Sequence, residues 1–569
     1  FDGFVITRIR EVSERETLNN IQNILQQDNS LEDPHLLREL QQEFRYLFGM
    51  ENTNIGFIAF YDSENVKQLV TTNYSSILLK NISDPNEIIH YCQNLSEELT
   101  KHPNYFWWHD RSEVLTLIDI QLHKNGWQSA LITALFHKQK VIGCLEVVTR
   151  SGTAIDNYIL LRLEYVRELM QVALQNYRQQ MLNTVARLVK ENFTAIQSSV
   201  EWKFNNAAIR YLLNQHSGNA AKMGTVIFED VFPLYGLIDI RNSSGERNRA
   251  VQEDMLQQLQ WVKKIIEEVQ QTLSYPLLLE IQSRIEKHID SISDFLFAAD
   301  EQVVQHFLRT EATELLQHLA KAAPQHRDEI DAYFGKGSNN FNLLNVHRTM
   351  FEQSVTEINS QITQHLDNEQ VRVQHLYPHY FERFVSDGVE FNMYIGQSIS
   401  PAIKFDMVHL KNLKLWQLSF LATAAQQVHK INKRLALPLE TTQLVLEYNE
   451  PISIRFRNAE RKFDIDGVHH ARYEVVKKRI DKALIKGTNE RLTQHGKLAI
   501  VYSTEEDAKE YLQYIEYLKM QNLLTGSAEI LELEELQAVS GLKALRVAIQ
   551  FDKIAEETDE KKSIAGAKR

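Results

Sequence analysis

The segment SALITALFHKQKVIGCLEVVTR, residues 129–150, constrains the fold more than any other. Two apolar runs flank the polar centre His137-Lys138-Gln139-Lys140, which is the pattern of a β-hairpin. Both runs are apolar almost throughout, as suits strands covered on both faces of a sheet. A stretch of helical periodicity comes next, YILLRLEYVRELMQVALQNYRQQM, with Asp156 placed as its N-cap. The spacing predicts a closing helix over 156–181.

The residues before the hairpin supply more strands and helices. Phe1 to Ile9 reads as a strand, and 10–27 and 34–48 as helices, the second with Leu36, Leu37, Leu40, Phe44 and Leu47 close to one face. NIGFIAFYD (54–62) and VKQLVTTNY (66–74) read as short strands joined at Ser63-Glu64-Asn65. A helix restarts over 84–102, with Asp84 as cap and Glu87 three residues on, as in a capping box. The aromatic run NYFWWHDRSE then leads through VLTLIDIQLHKNGWQ into the hairpin.

This order, and above all ALITALFHKQKVIGCLEVVT with its V-I-G-x-L-E-V-V strand and the helix after it, resembles a GAF domain over residues 34–182. FDGFVITRIREVSERETLNNIQNILQ resembles the segment leading into the GAF region of large soluble Bacteroidetes-type GAF proteins, a family of unknown role. The resemblance implies an antiparallel sheet that binds a small effector on one side and carries dimerising terminal helices on the other. Trp107, Trp108, His109 and Arg111 lie in the crossover that lids such a pocket, and Trp127 lies just after it. The indoles suit stacking on a flat heterocycle, and His109, Asp110 and Arg111 suit hydrogen bonding to it. The alternative is that the aromatics pack on the sheet and fill the pocket. The N-K-x-n-F-x-x-x-D-E pattern of cyclic-nucleotide GAF domains is absent, as is a cysteine at the bilin-attachment place of phytochromes, so no ligand or cofactor is named.

Residues 183–375 read as mostly helix. Val251, Met255, Leu259, Val262, Ile266, Val269 and Leu273 recur every three or four residues on one helical face. After Pro276 the pattern resumes at Leu278, Ile281, Ile285, Ile289, Ile292 and Leu296, and again from Val346 to Leu366. Breaks at Pro276 and FGKGSNNFN favour an antiparallel bundle over a continuous coiled-coil stalk. The last third reads as an α+β domain. It has a hairpin turning at Asn449-Glu450-Pro451, a helix over 471–487, a strand KLAIVYS, a helix capped by Ser503 or Thr504, and a strand LKALRVAIQF. The fold class is therefore α+β. The expected units are a GAF-like sheet with flanking helices (1–182), a helical bundle (183–375), a C-terminal α+β domain (376–555) and a disordered tail (556–569).

No phosphate-cradling GxxxxGK[ST], zinc-binding HExxH or GxSxG elbow occurs, so no catalytic or metal-ligating residue is assigned. TVIFEDVFPLYGLIDIRNSSGERN (225–248) resembles the metal-binding first strand of a class III nucleotidyl cyclase through Asp239. That chemistry needs a second carboxylate one hairpin away, whereas the next segment reads as a long helix with no Gly-Asp turn. The stretch is therefore expected to be an apolar loop, with Ser243 or Ser244 capping the next helix. Arg241, Ser243 and Arg247 form a candidate anion site at that helix N-terminus. Arg472, Lys477, Lys478 and Lys482 form a candidate basic patch, diluted by Glu474 and Asp481.

The chain has 569 residues, enough for about three to four domains. A net charge of -13 argues against nucleic acid as a partner. The two cysteines, Cys92 and Cys144, are too few for a disulfide framework, are expected to be buried thiols, and fit a reducing cytoplasm. No apolar run is long enough for a transmembrane segment. From its start at Phe1, inside an apolar stretch, the chain is expected to be a fragment of a longer protein. The expectation is a cytoplasmic signalling or regulatory protein in which a small-molecule effector acts on residues 1–182, working as a homodimer or with a protein partner. The alternatives are a scaffold with a filled pocket and an enzyme acting on nucleotides or phosphate esters through the C-terminal domain, which requires converging acidic groups there.

Overall fold

A computed structural model describes residues 13–27, 30–31, 33–49, 52–60, 76–79, 82, 85–101, 106–109, 117–150, 157–193, 197–216, 223–335, 345–457, 462–466, 471–536 and 540–551. The expected strands at 1–9 and 66–74, the caps Asp84 and Asp156 and the tail 556–569 lie outside the described residues. The chain divides into two compact units. The first is 1–228 with 400–404 and 454–464, and the second is 229–399 with 405–453 and 465–569.

The first unit opens with helices α1 (Ser13–Leu25) and α2 (Pro34–Phe48). Asp33 caps α2 by accepting the His35 N–H at 2.7 Å, Pro34 starts it, and Gly49 ends it in the left-handed region. Next come β1 (Thr53–Ala59), α3 (Pro85–Lys101), β2 (Phe106–His109), α4 (Leu117–Lys124), β3 (Ser129–His137), β4 (Lys140–Thr149) and α5 (Asn157–Asn192). The strands form an antiparallel sheet in the order β1-β4-β3-β2. The β3–β4 hairpin turns on Lys138 and Gln139, both at positive φ, as a two-residue turn matched to strand twist requires.

Both faces of this sheet are covered. On one, Ile58, Ile132, Ala134, Cys144 and Val148 pack with Tyr91, Leu95 and Leu99 of α3, Leu122 of α4, and Leu78, Leu79 and Ile82. On the other, α5 approaches so closely that a Cβ on Gly143 would lie 2.5 Å from Leu174 Cδ2 and 2.2 Å from the Ile58 carbonyl oxygen. Gly143 therefore sits on an inner strand, where only glycine admits the helix. Arg162 of α5 donates to the Leu47 carbonyl and pairs with Glu14, tying α5 to α1 and α2. Helix α6 (Ser198–His216) comes after it. Phe193 and Phe204 pack their rings against Phe456, and Phe463 packs against Phe228.

The second unit is organised on β5 (Ile227–Ile240), so the apolar loop expected there is instead a long strand. A helical insertion comes next: α7 (Ser243–Gln270), α8 (Pro276–Ser293), α9 (Ala298–Phe307), a π turn at Leu308–Ala312, α10 (Thr313–Ala322) and α11 (Arg327–Tyr333). Its own core contains Val251, Leu259, Val262, Ile266, Leu278, Ile285 and Ile292, the positions the periodicity marks. Helix α12 (Val346–Leu376) leads to the hairpin β6 (Tyr380–Ser386) and β7 (Gly388–Ile395), and α13 (Met407–Asn432) to β8 (Thr441–Leu446). The strands β9 (Ile452–Arg457) and β10 (Lys462–Asp466), whose residues 454–464 belong to the first unit, come next in the chain, then α14 (Ala471–Lys477), β11 (Lys497–Tyr502), α15 (Glu505–Met520), β12 (Leu524–Glu532) and β13 (Lys543–Ile549).

Seven strands of this unit run β6-β7-β5-β8-β11-β13-β12, with β8 and β11 parallel and the other neighbours antiparallel. Leu234, Ile238, Val389, Phe391, Met393 and Val445 bury one face with Ile358 and Ile362 of α12, Phe420 and Leu421 of α13, and Tyr511 of α15. The expected β8–β9 hairpin does not form, because both edges of β8 are taken by β5 and β11. The expected helix over 471–487 stops at Lys477, and a single 3-10 turn at Ile480–Lys482 comes after it. Thr504 caps α15 in a reciprocal box with Asp507, as its position suggests.

Candidate functional site

Two carboxylates stand on the inner strands of the two sheets. In the first unit Glu146 of β4 lies opposite Gly56 of β1 and Ile132 of β3, on the face covered by α3 and α4. It is fully buried. One oxygen accepts the Ser76 hydroxyl at 2.8 Å and the other accepts the Ile77 N–H at 2.6 Å. Ser76 Oγ in turn accepts the Leu79 N–H at 3.0 Å. A short strap, residues 76–79, is thereby pinned to the sheet by one side chain. Burial raises the Glu146 pKa to about 7, against the opposing pull of Ile77, Ser76 and Leu78. Its partners are a hydroxyl and peptide N–H groups rather than a cation, so proton loss there is a local change of charge.

Three of the candidate ligand residues of this unit lie on β2, at the edge of the same sheet. Phe106 pairs with Ile132, which pairs with Glu146, and Trp108 pairs with Ala130, which pairs with Val148. Glu146 and Trp108 therefore stand two register rows apart. Trp107 pairs with Leu131 in the row between them, and His109 with Ser129 in the row beyond Trp108. Arg111 lies outside the described residues. Trp127 is buried in the cluster on this face, with the Arg150 guanidinium 4.7 Å from its ring. Its indole Nε1 has no hydrogen-bond partner among the described residues. Cys144 is buried in the same cluster, and the Cys92 side chain lies outside the described part of the chain.

In the second unit Asp239 ends the pairing of β5 with β7, directly opposite Gly388. The turn preceding Gly388 carries Asp387, whose carbonyl accepts the Ile240 N–H at 2.9 Å. Gly388 has φ 142°, and a Cβ there would lie 2.2 Å from the Ile238 carbonyl oxygen, so glycine is required for the hairpin to close beside Asp239. Burial raises the Asp239 pKa to about 6; Asp481 and then Asp387 add to the rise, and Arg491 and Lys482 oppose it. A second carboxylate one hairpin away is thus present. Helices α7 to α12 separate it in the chain from β5, which hides it from a local reading.

The remaining candidates are dispersed. Arg241 pairs with Glu440 at 2.6 Å, Ser243 donates to Asp387 at 2.9 Å, and Arg247 is exposed. Asn242, in the left-handed region, occupies the N-cap of α7 in place of either serine, without a side-chain cap bond. Lys477 pairs with Glu390 at 3.3 Å and lies 5.5 Å from the Tyr235 ring centre, while Lys478 and Lys482 are exposed. The Arg472 side chain lies outside the described part of the chain. The sequence reading missed Glu146 and Asp387. Asp387-Gly388, between runs that alternate, carries the hairpin signal that would have found the second of them.

No protein-family model matches the chain, and no curated protein matches it. Part of the chain resembles solved GAF domains. The GAF domain of a two-component sensor histidine kinase from Bacillus halodurans is 15% identical, over 26% of this chain and 98% of that one, with a TM-score of 0.20. The phycoerythrobilin-bound GAF domain of a cyanobacterial phytochrome is 14% identical, over 30% and 98%, with a TM-score of 0.20. Free methionine-R-sulfoxide reductase from Neisseria meningitidis, in complex with its substrate, is 11% identical, over 31% and 98%, with a TM-score of 0.20. Among the described residues no helix is long and apolar enough to cross a membrane.

Proposed function

We propose that the protein is a cytoplasmic signalling or regulatory protein whose first unit senses a small molecule on the α3/α4 face of its sheet. The observation that carries this reading is Glu146, a buried carboxylate that holds the 76–79 strap down. A ligand with a hydrogen-bond donor can replace Ser76 and Ile77 at that carboxylate, which releases the strap and exchanges one set of polar contacts for another. The 36-residue α5 carries the outcome away from the sheet, since it touches β4 at Gly143. Leu161, Tyr165 and Val172 are exposed along α5 at spacings of four and seven, which suits pairing with a second copy. Only a ligand that favours one arrangement of strap and helix shifts the equilibrium. Thermal melting of the purified chain against fractions of a small-molecule metabolite extract tests this. A fraction that raises the melting temperature of the native protein, and has no effect on Glu146→Ala, is expected. Equal shifts in both would remove Glu146 from recognition.

A second reading is favoured by Asp239 and Asp387. Two carboxylates one hairpin apart, with Asp481 close enough to raise Asp239, suit a divalent cation that presents a phosphate ester or nucleoside triphosphate to the second unit. This is the arrangement that the resemblance of 225–248 to a class III nucleotidyl cyclase strand requires. Mn2+-dependent binding of a fluorescent nucleoside triphosphate, abolished by Asp239→Asn and by Asp387→Asn, is expected. Binding that survives both substitutions would reject it.

A further inference from the structure

We propose that Glu268, His326 and Glu329 form a site for a divalent transition-metal ion of zinc-like preference, within the helical insertion of the second unit. The three come from separate elements: the last turn of α7, the 3-10 turn Pro324–His326 and the first turn of α11. One ligand atom from each lies within 4.8 Å of the others, and all three residues are half-buried. Metal–ligand bonds of about 2.0–2.1 Å in a tetrahedron separate ligands by roughly 3.4 Å, so the ligand atoms need to close up by no more than about 1.4 Å.

The backbone around the site is already fixed. Gln325 Nε2 donates to Thr272 Oγ1 at 3.2 Å and holds the 3-10 turn against the end of α7. Trp261 of α7 and Tyr333 of α11 stack edge to face at 5.5 Å, one helical span away. A positive charge is already favoured at this place. Lys264 Nζ lies 2.8 Å from Glu329 and 3.5 Å from Glu268. The ammonium is a monovalent occupant on a flexible stem, and its side chain is 62% exposed, so it can swing into water when a divalent ion arrives. His326 Nδ1 faces Glu268 at 3.8 Å and supplies the nitrogen ligand. One imidazole with two carboxylates prefers Zn2+ or Ni2+ to Mg2+ or Ca2+, which take oxygen ligands. The fourth position falls to water, and the ion acts as a clamp between α7 and α11.

Calorimetric titration of the chelator-stripped full chain with Zn2+, with Mg2+ as control, tests the assignment. The expected result is one equivalent of Zn2+ that excess Mg2+ does not displace, bound also by the Asp239→Asn, Asp387→Asn chain and weakened at least about tenfold by His326→Ala and by Glu329→Gln. Lys264→Met removes the competing ammonium and is expected to tighten binding severalfold. Should the native chain bind no Zn2+ while Lys264→Met does, the site stands, with the lysine as the stronger occupant. Zn2+ binding unaffected by His326→Ala and Glu329→Gln, or no binding to Lys264→Met, would overturn the proposal.

Discussion

Glu146 and Asp239 are the same kind of group in two different predicaments. Each sits on an inner strand of its sheet, and each has its pKa raised by burial first. Glu146 is alone among neutral partners, so its proton is decided by desolvation and by three donors. Asp239 is decided also by its charged neighbours, two acids that raise it and two bases that lower it. A lone buried carboxylate suits a site that reads a neutral or donor-bearing ligand. A carboxylate crowded by others suits a site that waits for a cation.

The largest effect is expected where the platform beneath Glu146 is disturbed. Gly143→Val places side-chain atoms into the Ile58 carbonyl and Leu174 and forces β4 away from α5. A loss of at least about 3 kcal/mol in the stability of the first unit is expected by chemical denaturation. A native-like midpoint would mean that α5 does not lie against Gly143.

Next is the pH dependence of Glu146. An ordinary glutamate ionises near 4.5, and in the folded protein Glu146 ionises near 7. The folded state therefore keeps a proton that the unfolded chain has already lost. This contribution is fully present below pH 4.5 and is lost as pH rises through 7, amounting to about 3 kcal/mol in total. Denaturation midpoints of the first unit should fall between pH 5 and pH 8, and Glu146→Gln should flatten that fall. An equally steep slope in the variant would assign the dependence elsewhere.

The smallest effect separates the two predicaments most cleanly. Asp387→Asn removes a charge that raises Asp239, so the Asp239 pKa should drop by up to about one unit, read from its carboxyl carbon by NMR. The signal of Glu146, which has no acidic neighbour among the causes of its shift, should titrate as before. A static Asp239 would show that Asp387 does not act on it.

The parts of this fold that were legible in the sequence are those whose partners are near in the chain. The hairpin at 129–150, the helix over 34–48 and the apolar faces of α7 and α8 arise from local period alone. The features that escaped it depend on distant pairing. The turn at Asn449-Glu450-Pro451 is a sound local signal, yet β8 is a central strand and takes β5 and β11 as neighbours. Tyr473, Val476, Ile480 and Ala483 are all buried at helical spacing, so the end of α14 at Lys477 leaves no trace in the pattern. Asp239 and Asp387 are brought together by a register that spans the whole helical insertion, which no window over either one contains. Glu146 was hidden for a different reason. It stands in an apolar strand, and its burial is offset by Ser76 and Ile77, whose position depends on the folded crossover.

Hydrogen exchange with mass spectrometry, on the full chain with and without the stabilising metabolite fraction, tests the central claim most directly. Faster exchange at Ile77 to Leu79 together with altered protection along α5, both absent in Glu146→Ala, is the expected result. Unchanged exchange at the strap and α5 with every fraction would contradict a sensing role for the Glu146 face.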